Sequence, residues 1–389
     1  MSAKPASIAK VNGPACRPEV AQLAPYNAGL STEAVRSRYG ATTITKLGSN
    51  ENPYGPAPAV ATALQELVKQ VALYPEADQK LKAALAARLH EPASCILLGN
   101  GSEQIIRMIA EAYINPGDRV VTVVPSFGLH IITAEAMGGK VEAVPMTPAC
   151  TFDLPALMKA VSTPLKVLIF ANPSNPVGCM MKADDMRALF AACPPDCLIV
   201  VDEAYYEYAR FDAAYPDART ILREQERPWL VLRTFSKAYG LAGLRIGYAI
   251  GSDPAIIDSL GRIRDPFNTN IAAQLAALGA LEGLEHMDHS TGRTVEAREK
   301  LRGEMEGMGL TVAPSYGNFL FFRTERPSGD IAEALLHHGV IVKPWKEAGY
   351  THWLRVSVGL PDENARFLAA LQAVLHPAPA TDTVGECVK

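Results

Sequence analysis

A serine, a lysine and an arginine lie in a polar turn between two apolar runs, and residues of these types could bind an anion and attack a carbonyl. Ser236 and Lys237 follow the run 229–232, and Arg245 comes eight residues after the lysine. A lysine held between two buried strands is partly desolvated, which lowers its pKa and makes its amine a nucleophile. Ser236 and Arg245 could both donate to an anion. Because lysine side chains are mostly exposed, a solvated loop lysine is the alternative for this turn taken alone.

A glycine turn and an aspartate follow two other apolar runs, outside the carboxyl ends of predicted strands, where an open α/β sheet binds its ligands. Gly101, Ser102 and Glu103 follow the run 95–98 and begin a helix, so their backbone N–H groups and the helix dipole could hold a phosphate. A plain glycine turn with a serine N-cap is the alternative. Asp202 ends a wholly apolar strand, where a carboxylate is costly to bury without a cationic or N–H partner. Its alternative role is an N-cap for the next helix.

An aromatic ring and an amide follow two more apolar runs and would reach the same crevice. Phe127 comes after the run 119–124 and puts a flat ring at the rim, although an ordinary core position would suit it as well. Asn175 lies in the segment 172–178, which is rich enough in proline and asparagine to hold an amide side chain rigidly. No GxxxxGK[ST] run occurs and no GxGxxG follows a strand, so nucleoside triphosphates and dinucleotides lose their main support as ligands.

These residues need a sheet to position them, and the alternation of apolar runs with helical stretches predicts a parallel sheet with helices on both faces. The predicted fold class is α/β, with a seven-stranded, mainly parallel sheet in an α/β/α large domain and a smaller α+β domain after it. The predicted strands are 95–98, 119–124, 140–145, 166–171, 197–202, 229–234 and 245–250. The predicted helices of the large domain are 59–71, 77–88, 102–113, 129–137, 154–161, 183–192 and 256–262.

The pattern changes after about residue 265 and predicts the smaller domain. Two helices, 270–282 and 287–308, precede short β-type runs at 317–323, 340–343 and 353–358, which alternate with helices at 331–338 and 363–375. The last residues carry no periodicity and predict a disordered tail. The predicted divisions are 1–54 for an N-terminal arm with part of the small domain, 55–275 for the large domain, 276–378 for the small domain and 379–389 for the tail.

Length, charge and cysteine content exclude several classes of protein. A chain of 389 residues exceeds what one hydrophobic core usually serves, so about two domains are expected. A net charge of −4 without a basic stripe argues against a nucleic-acid partner. No run of eighteen apolar residues and no signal-peptide core occur, which argues against a membrane protein. The seven cysteines contain no CxxC pair, so free thiols, a cytoplasmic location and no metal site are predicted.

Together these groups match the needs of one cofactor. A lysine for an imine, an aspartate for a protonated ring nitrogen, a phosphate cradle and a flat ring platform are what pyridoxal 5′-phosphate (PLP) requires. From about Tyr26 to Leu375, the order of motifs resembles that of the fold-type I, aspartate-aminotransferase-like enzymes. The resemblance implies their fold and a PLP-dependent transamination.

The resemblance also assigns a role to each matching position. Lys237 would bind the cofactor's aldehyde covalently, and Asp202 would keep the pyridine nitrogen protonated. Asn175 and Tyr205 would hydrogen-bond the ring's phenolic oxygen, and Phe127 would stack on its face. The cofactor phosphate would be bound by Gly101, Ser102, Glu103 (through its backbone), Ser236 and Arg245.

Within the superfamily, the closest likeness is to the histidinol-phosphate aminotransferases and their paralogues acting on aromatic amino acids. Arg355 matches the arginine that grips a substrate carboxylate, although from the residues alone a structural salt bridge would satisfy this buried charge equally well. The likeness is carried by LGSNENPYG (47–55), YPE (74–76), GNGSEQII (99–106) and LRVSVG (354–359).

The same likeness implies partners and substrate contacts. It implies a homodimer in which Tyr74 reaches the partner subunit's cofactor phosphate, and it places Tyr26 and Asn50 at the substrate. Lys343 stands where many members carry an arginine at the substrate phosphate. Lysine lacks the bidentate fork of arginine, so phosphate binding with less geometric selection is expected. Trp345 nearby would suit an aromatic substrate.

The predicted function is the transamination of histidinol phosphate with 2-oxoglutarate or glutamate by a ping-pong mechanism, as in histidine biosynthesis. An incoming amine would displace Lys237, whose freed amine would act as general base on Cα–H. An aminotransferase for phenylalanine or tyrosine is the first alternative, and a PLP-dependent amino acid decarboxylase is the second. A third alternative is a non-catalytic α/β binding protein, which would give a colourless preparation. The histidines are not spaced as metal ligands, so core or helix-surface roles are predicted for them. His130 comes three residues after Phe127, which is close enough to contact the pocket.

Overall fold

The computed structural model describes residues 14–23, 29–65, 67–76 and 78–376. None of the helices in these ranges combines the length and the apolar character needed to cross a bilayer. In chain order the strands are β1 (Thr45–Lys46), β2 (Ile96–Gly99), β3 (Arg119–Val124), β4 (Lys140–Pro145), β5 (Val167–Ala171), β6 (Leu198–Asp202), β7 (Trp229–Thr234), β8 (Gly247–Gly251), β9 (Thr311–Val312), β10 (Phe319–Arg323), β11 (Val340–Ile341), β12 (Lys343–Pro344) and β13 (Trp353–Ser357). The α-helices are α1 (Pro18–Ala21), α2 (Thr32–Tyr39), α3 (Pro58–Leu64), α4 (Gln79–Leu89), α5 (Ser102–Tyr113), α6 (Leu129–Ala136), α7 (Leu154–Val161), α8 (Ala183–Ala192), α9 (Tyr206–Ala209), α10 (Ala218–Arg223), α11 (Pro254–Gly261), α12 (Ile271–Glu282), α13 (Leu284–Gly307), α14 (Ser328–His337) and α15 (Pro361–Leu375).

Strands β2 to β8 form one sheet of seven strands in the order β2-β8-β7-β6-β5-β3-β4. Strand β8 runs antiparallel to both of its neighbours, and the other neighbouring pairs are parallel. Strands β5 to β8 are buried along their whole length, as expected for apolar runs covered by helices on both faces. The predicted α/β fold with a seven-stranded, mainly parallel sheet is therefore confirmed, and β3, β4 and β7 have the predicted bounds.

Two hydrophobic cores lie on the two faces of this sheet. Successive residues of a strand alternate between them, so that Ile199 belongs to one core and Val200 to the other. The first core includes residues of α7, α8 and α10, and the second includes residues of α5, α6 and α11. Because helices hold the sheet from both sides, the residues that follow β3, β5, β6 and β7 meet at one fixed edge, the carboxyl edge.

A second group of strands forms a four-stranded antiparallel sheet in the order β12-β13-β10-β9, beside a parallel pair of β1 and β11. Its own core joins Leu320 of β10 to Leu335 of α14 and Phe367 of α15. These elements lie where short strands and helices of a smaller α+β region were predicted. The domain boundaries themselves stay predictions, and the predicted tail 379–389 lies outside the described residues.

Two helices differ from the prediction: α2 was not predicted, and α3 is shorter than predicted. Helix α2 buries only Val35, so it has no apolar periodicity, although Ser31 supplies an N-cap by accepting from a backbone N–H of the first turn. The predicted helix 59–71 stops at Leu64, and a 3₁₀ turn follows. Beyond that point Val68 is 80 % exposed, so no buried face continues the helix.

Candidate active site

Most of the predicted site residues line one cavity of about 530 Å³ at the carboxyl edge of the seven-stranded sheet. One side, here called the strand-end wall, consists of residues that end or follow the strands of that sheet. The other side, the rim wall, consists of residues 48–50, 343–347 and Arg355. The strand-end wall contributes Ser102, Glu103, Ser126, Phe127, Asn175, Asp202, Tyr205, Ser236, Lys237 and Arg245.

Lys237 lies in the turn between β7 and β8 and faces the rim wall. Its Nζ donates to the carbonyl oxygen of Ser49 at 3.1 Å. Burial, followed by the nearby charge of Arg355, lowers the pKa of Lys237 to about 8. A useful fraction of such an amine is unprotonated near neutral pH, as a nucleophile or general base requires.

Asp202 ends β6 with only 4 % of its surface exposed. Its Oδ1 accepts from the backbone N–H of Ala204 at 3.1 Å, and its Oδ2 lies 3.2 Å from Nε2 of His130. These are partners of the kind that a buried carboxylate requires. The N-cap position of α9 is occupied by Tyr205, so Asp202 does not have the capping role considered from the sequence.

His130 lies behind the cavity-lining residues, and its contact with Asp202 was not predicted, although its spacing from Phe127 placed it near the pocket. It is 1 % exposed on α6, with Nε2 facing Asp202 and Nδ1 lying 3.3 Å from the hydroxyl of Ser126. The ring of Phe127 meets it edge-on, with centroids 5.7 Å apart. The available signal was the spacing of Ser126 and His130, four residues apart beside an aromatic rim residue. The predicted core role is correct for its burial and misses its contact with the carboxylate.

Backbone N–H groups and a guanidinium form a cradle that a phosphate fits. Gly101 precedes the twelve-residue helix α5 with a φ of +77°, and a Cβ there would lie 2.6 Å from the guanidinium of Arg245. The positive φ favours glycine here, and the missing side chain leaves room for the guanidinium. Arg245 donates to Oγ of Ser236 at 3.3 Å and pairs with Glu103 at 3.1 Å, which holds it beside the helix N-terminus. The N–H groups of the first turn and the helix dipole favour an anion at this point.

Arg355 and Asn175 join the two walls of the cavity. Nη1 of Arg355 donates to Oδ1 of Asn175 at 2.5 Å, and Nη2 donates to the carbonyl oxygen of Gly48 at 2.8 Å. Both oxygens are neutral, so neither contact cancels the guanidinium charge. Because Asn175 accepts through Oδ1, its Nδ2 hydrogens are the donors it can offer to a ring oxygen.

Lys343 brings a second cation to the rim wall. It lies on β12 directly across from Arg355 on the antiparallel strand β13. Burial, followed by the charges of Arg355 and Lys346, lowers the pKa of Lys343. Like charges opposite each other on neighbouring strands are destabilising, and an anion bound between them would relieve the repulsion. The two cations therefore suit a second anion, distinct from the one that suits the cradle.

Three predicted contacts stay predictions. Tyr74 is 78 % exposed, stacks on Phe267 with centroids 4.5 Å apart, and is not among the residues lining the cavity. Tyr26 lies outside the described residues. Asn50 lines the cavity, but its side chain hydrogen-bonds the hydroxyl groups of Tyr205 and Ser357, so its amide is already engaged by the protein.

The fold and the site define the class: a PLP-dependent transferase whose lysine, aspartate and phosphate cradle lie at the carboxyl edge of a mainly parallel sheet. The chain belongs to the family described as Aminotransferase class I and II, which matches residues 42–371. This family is PLP-dependent, so the protein is a PLP-dependent aminotransferase and the predicted cofactor is confirmed.

The named relatives are histidinol-phosphate aminotransferases, and they confirm the resemblance found in the sequence. The chain is 45% identical over 359 residues to histidinol-phosphate aminotransferase 3 of Rhizobium meliloti, covering 92% of this chain and 97% of that protein. It is 46% identical over 360 residues to histidinol-phosphate aminotransferase 1 of Mesorhizobium japonicum, covering 92% and 98%.

Solved structures agree with this placement. The crystal structure of histidinol-phosphate aminotransferase from Sinorhizobium meliloti in complex with pyridoxal-5′-phosphate matches with a TM-score of 0.84 at 27% identity, covering 95% of this chain and 98% of that one. A double mutant of Thermus thermophilus aspartate aminotransferase matches with a TM-score of 0.81 at 22% identity, covering 93% and 100%. The second match shows that the aspartate-aminotransferase-like fold is shared.

Proposed function

We propose that the protein transfers the amino group of histidinol phosphate to 2-oxoglutarate by a ping-pong mechanism, as a step of histidine biosynthesis. The relatives named above support this substrate. The observation that carries the proposal is the second cationic site, formed by Lys343 and Arg355 in the same cavity as the phosphate cradle. Histidinol phosphate brings a phosphate ester to that site and glutamate brings a carboxylate, so one pair of cations serves both half-reactions.

The residues of both walls have separate tasks in this reaction. When bound, the cofactor supplies an aldehyde carbon for the amine and a ring that withdraws electrons from the substrate's α-carbon. Lys237, with its pKa of about 8, takes the proton from that carbon near neutral pH. Asp202, held by His130, keeps a proton on the ring nitrogen. Arg355 holds the substrate's anionic end, which orients the α-carbon towards the lysine.

The deciding experiment is a single-turnover half-reaction followed by the absorbance of the bound cofactor. The substrates are histidinol phosphate, phenylalanine, tyrosine and glutamate, with histidinol as the control that lacks only the phosphate. Histidinol phosphate should react fastest and histidinol at least about tenfold more slowly, since the rim cations would lose a charged partner. A faster reaction with phenylalanine or tyrosine would overturn the substrate and leave the transamination intact. Sequential steady-state kinetics would count against the ping-pong scheme.

We also propose a homodimer in which Tyr74 reaches the partner subunit's cofactor phosphate. Tyr74 and Phe267 stack on each other while 78% and 56% exposed, and Val68 and Leu73 nearby in the chain are 80% and 70% exposed. Exposed apolar side chains of this size suit a surface covered by a second subunit. Light scattering after gel filtration should give twice the chain mass, and Tyr74→Glu should lower it. An active monomer would contradict the shared site.

The proposed location is the cytoplasm. The described cysteines, such as the buried Cys193 and Cys197, are all free thiols, which suits a reducing compartment. Thiol titration of the freshly purified, unfolded protein should find the cysteines reduced.

A further inference from the structure

A hydrogen-bond chain runs from the four-stranded sheet to Tyr205 through Asn50. Asn50 is 1 % exposed and has a left-handed backbone with a φ of 55°. Its backbone N–H donates to Oγ of Ser357 at 2.8 Å, and its Oδ1 accepts from the same hydroxyl at 3.0 Å. Its Nδ2 donates to the hydroxyl oxygen of Tyr205 at 2.9 Å, and its carbonyl accepts from Asn318 at 3.0 Å. Each polar group of Asn50 is therefore engaged.

The donors and acceptors of this chain fit together in one direction. The backbone N–H of Asn50 can only donate, so the hydroxyl of Ser357 accepts there and gives its own hydrogen to another group. The amide oxygen of Asn50 takes that hydrogen, which assigns Oδ1 to the side of Ser357 and Nδ2 to the side of Tyr205. The hydroxyl of Tyr205 consequently accepts from Asn50, and its own hydrogen points to a different acceptor.

The direction of that hydrogen matters because Tyr205 lines the cavity beside the nucleophile. Nζ of Lys237 lies 5.9 Å from the centroid of the Tyr205 ring. We propose that Ser357 and Asn50 are positioning residues, which fix the hydroxyl of Tyr205 as a hydrogen-bond donor towards the phenolic oxygen of the bound cofactor. The proposal requires the cofactor and is independent of which amine is the substrate.

The segment that carries Asn50 is held at the site by two more contacts. The carbonyl oxygen of Gly48 accepts from Arg355, and the carbonyl oxygen of Ser49 accepts from Lys237. Three consecutive residues thus each contact one of the site's chemical groups. Any displacement of the segment would move all three contacts together, so the orientation of Tyr205 depends on the rim wall as a whole.

The test is a pH titration of the holoenzyme without substrate, in which absorbance reports the pKa of the bound cofactor. Asn50→Asp keeps the shape of the side chain and replaces the donor by an acceptor, so the hydrogen of Tyr205 should turn towards residue 50. The phenolic oxygen then loses a donor, and its negative charge holds the proton on the neighbouring nitrogen more tightly. The pKa of the bound cofactor should rise by about one unit, and Tyr205→Phe should raise it similarly.

A double variant separates this mechanism from the added negative charge. If Asn50 acts through Tyr205, the rise caused by Asn50→Asp should largely disappear in the Tyr205→Phe background. A rise that persists undiminished there would show a direct effect of the charge and would overturn the proposal. All of these variants leave unchanged the charged groups that line the cavity with Tyr205: Glu103, Asp202, Lys237, Arg245, Lys343, Lys346, Glu347 and Arg355.

Ser357 offers a variant that adds no charge. Ser357→Ala removes the hydroxyl that orients the amide of Asn50, so the pKa of the bound cofactor should rise by a fraction of a unit, and Ser357→Thr should keep the wild-type value. Unfolding curves of the apoproteins check that each variant is folded. Equal pKa values in the wild type and Ser357→Ala would sink the positioning role of Ser357. The measurement uses no substrate, so its failure is distinct from a failure of the histidinol phosphate assignment.

Discussion

The two walls of the cavity hold their residues by different means. In the strand-end wall, Asp202 ends one strand of the seven-stranded sheet and Lys237 follows another, and two packed cores fix those strand ends. In the rim wall, the contacts join segments remote in the chain, and Asn50 meets a hydroxyl 307 positions away at Ser357. The reacting groups are therefore placed by sheet geometry, whereas substrate choice and the orientation of Tyr205 depend on long-range contacts.

Removing the nucleophile should give the largest loss of activity. It should also give the clearest difference between a variant of the strand-end wall and a variant of the rim wall. Lys237→Ala in the strand-end wall should lower single-turnover rates by about a thousandfold or more, because both the covalent link and the general base are lost. Borohydride should no longer fix the cofactor to the chain, as read by mass spectrometry. Lys343→Ala in the rim wall is the matched control and should keep the borohydride adduct. Substantial turnover by Lys237→Ala would contradict the assignment of the strand-end wall.

Shortening the bridge between the walls should give the next largest effect. Arg355→Lys keeps the charge and loses the fork that reaches both Asn175 and the carbonyl oxygen of Gly48. KM for histidinol phosphate and for glutamate should rise roughly tenfold to a hundredfold, with a smaller change in kcat. Arg302→Lys, in an exposed pair with Glu306 on α13, is the control and should change neither constant. An unchanged KM would mean that Arg355 is structural.

The strand-end wall could be predicted from the sequence, and the connections to the rim wall could not. Apolar runs locate the strands, so the residues after them, Asp202 and Lys237 among them, were expected at one edge and are found there. The contact of His130 depends on a carboxylate 72 residues away, which periodicity does not reveal. Likewise, Ser357 continues an alternating strand, and its bond to Asn50 appears only when remote segments pack together. The donor and acceptor in that hydrogen bond are set by the packing, so the sequence does not reveal them.

The strand-end wall should also carry a cost in stability. The ordinary pKa of lysine, 10.5, falls to about 8 at Lys237, so the folded apoprotein binds this proton more weakly than the unfolded chain does. The cost is absent above about pH 10.5, grows as the pH falls, and is complete below about pH 8. At pH 7, Lys237→Met should raise the free energy of unfolding of the apoprotein by roughly 3 kcal/mol.

Urea unfolding at a series of pH values measures this cost. The gain from Lys237→Met should shrink as the pH rises from 8 and vanish near the ordinary pKa of lysine, 10.5. Lys300→Met, at a lysine whose side chain is 79% exposed on α13, is the control and should show no such trend. A pH-independent gain would mean that methionine stabilises the site by packing alone, and the lysine would then carry no electrostatic penalty.

The smallest expected effect sharpens the role of the rim wall in substrate choice. Lys343→Arg supplies two parallel N–H donors where the native ammonium is a point charge. The arginine should therefore bind a phosphate more tightly than the native lysine does. KM for histidinol phosphate should fall by roughly threefold, while KM for phenylalanine should fall less, since its only anionic group is a singly charged carboxylate. Lys346→Arg changes the neighbouring lysine of the same segment and should have little effect on either substrate. If Lys343→Arg lowers both KM values equally, the residue contributes general electrostatic attraction, and the rim wall selects its substrate through the shape of the cavity instead.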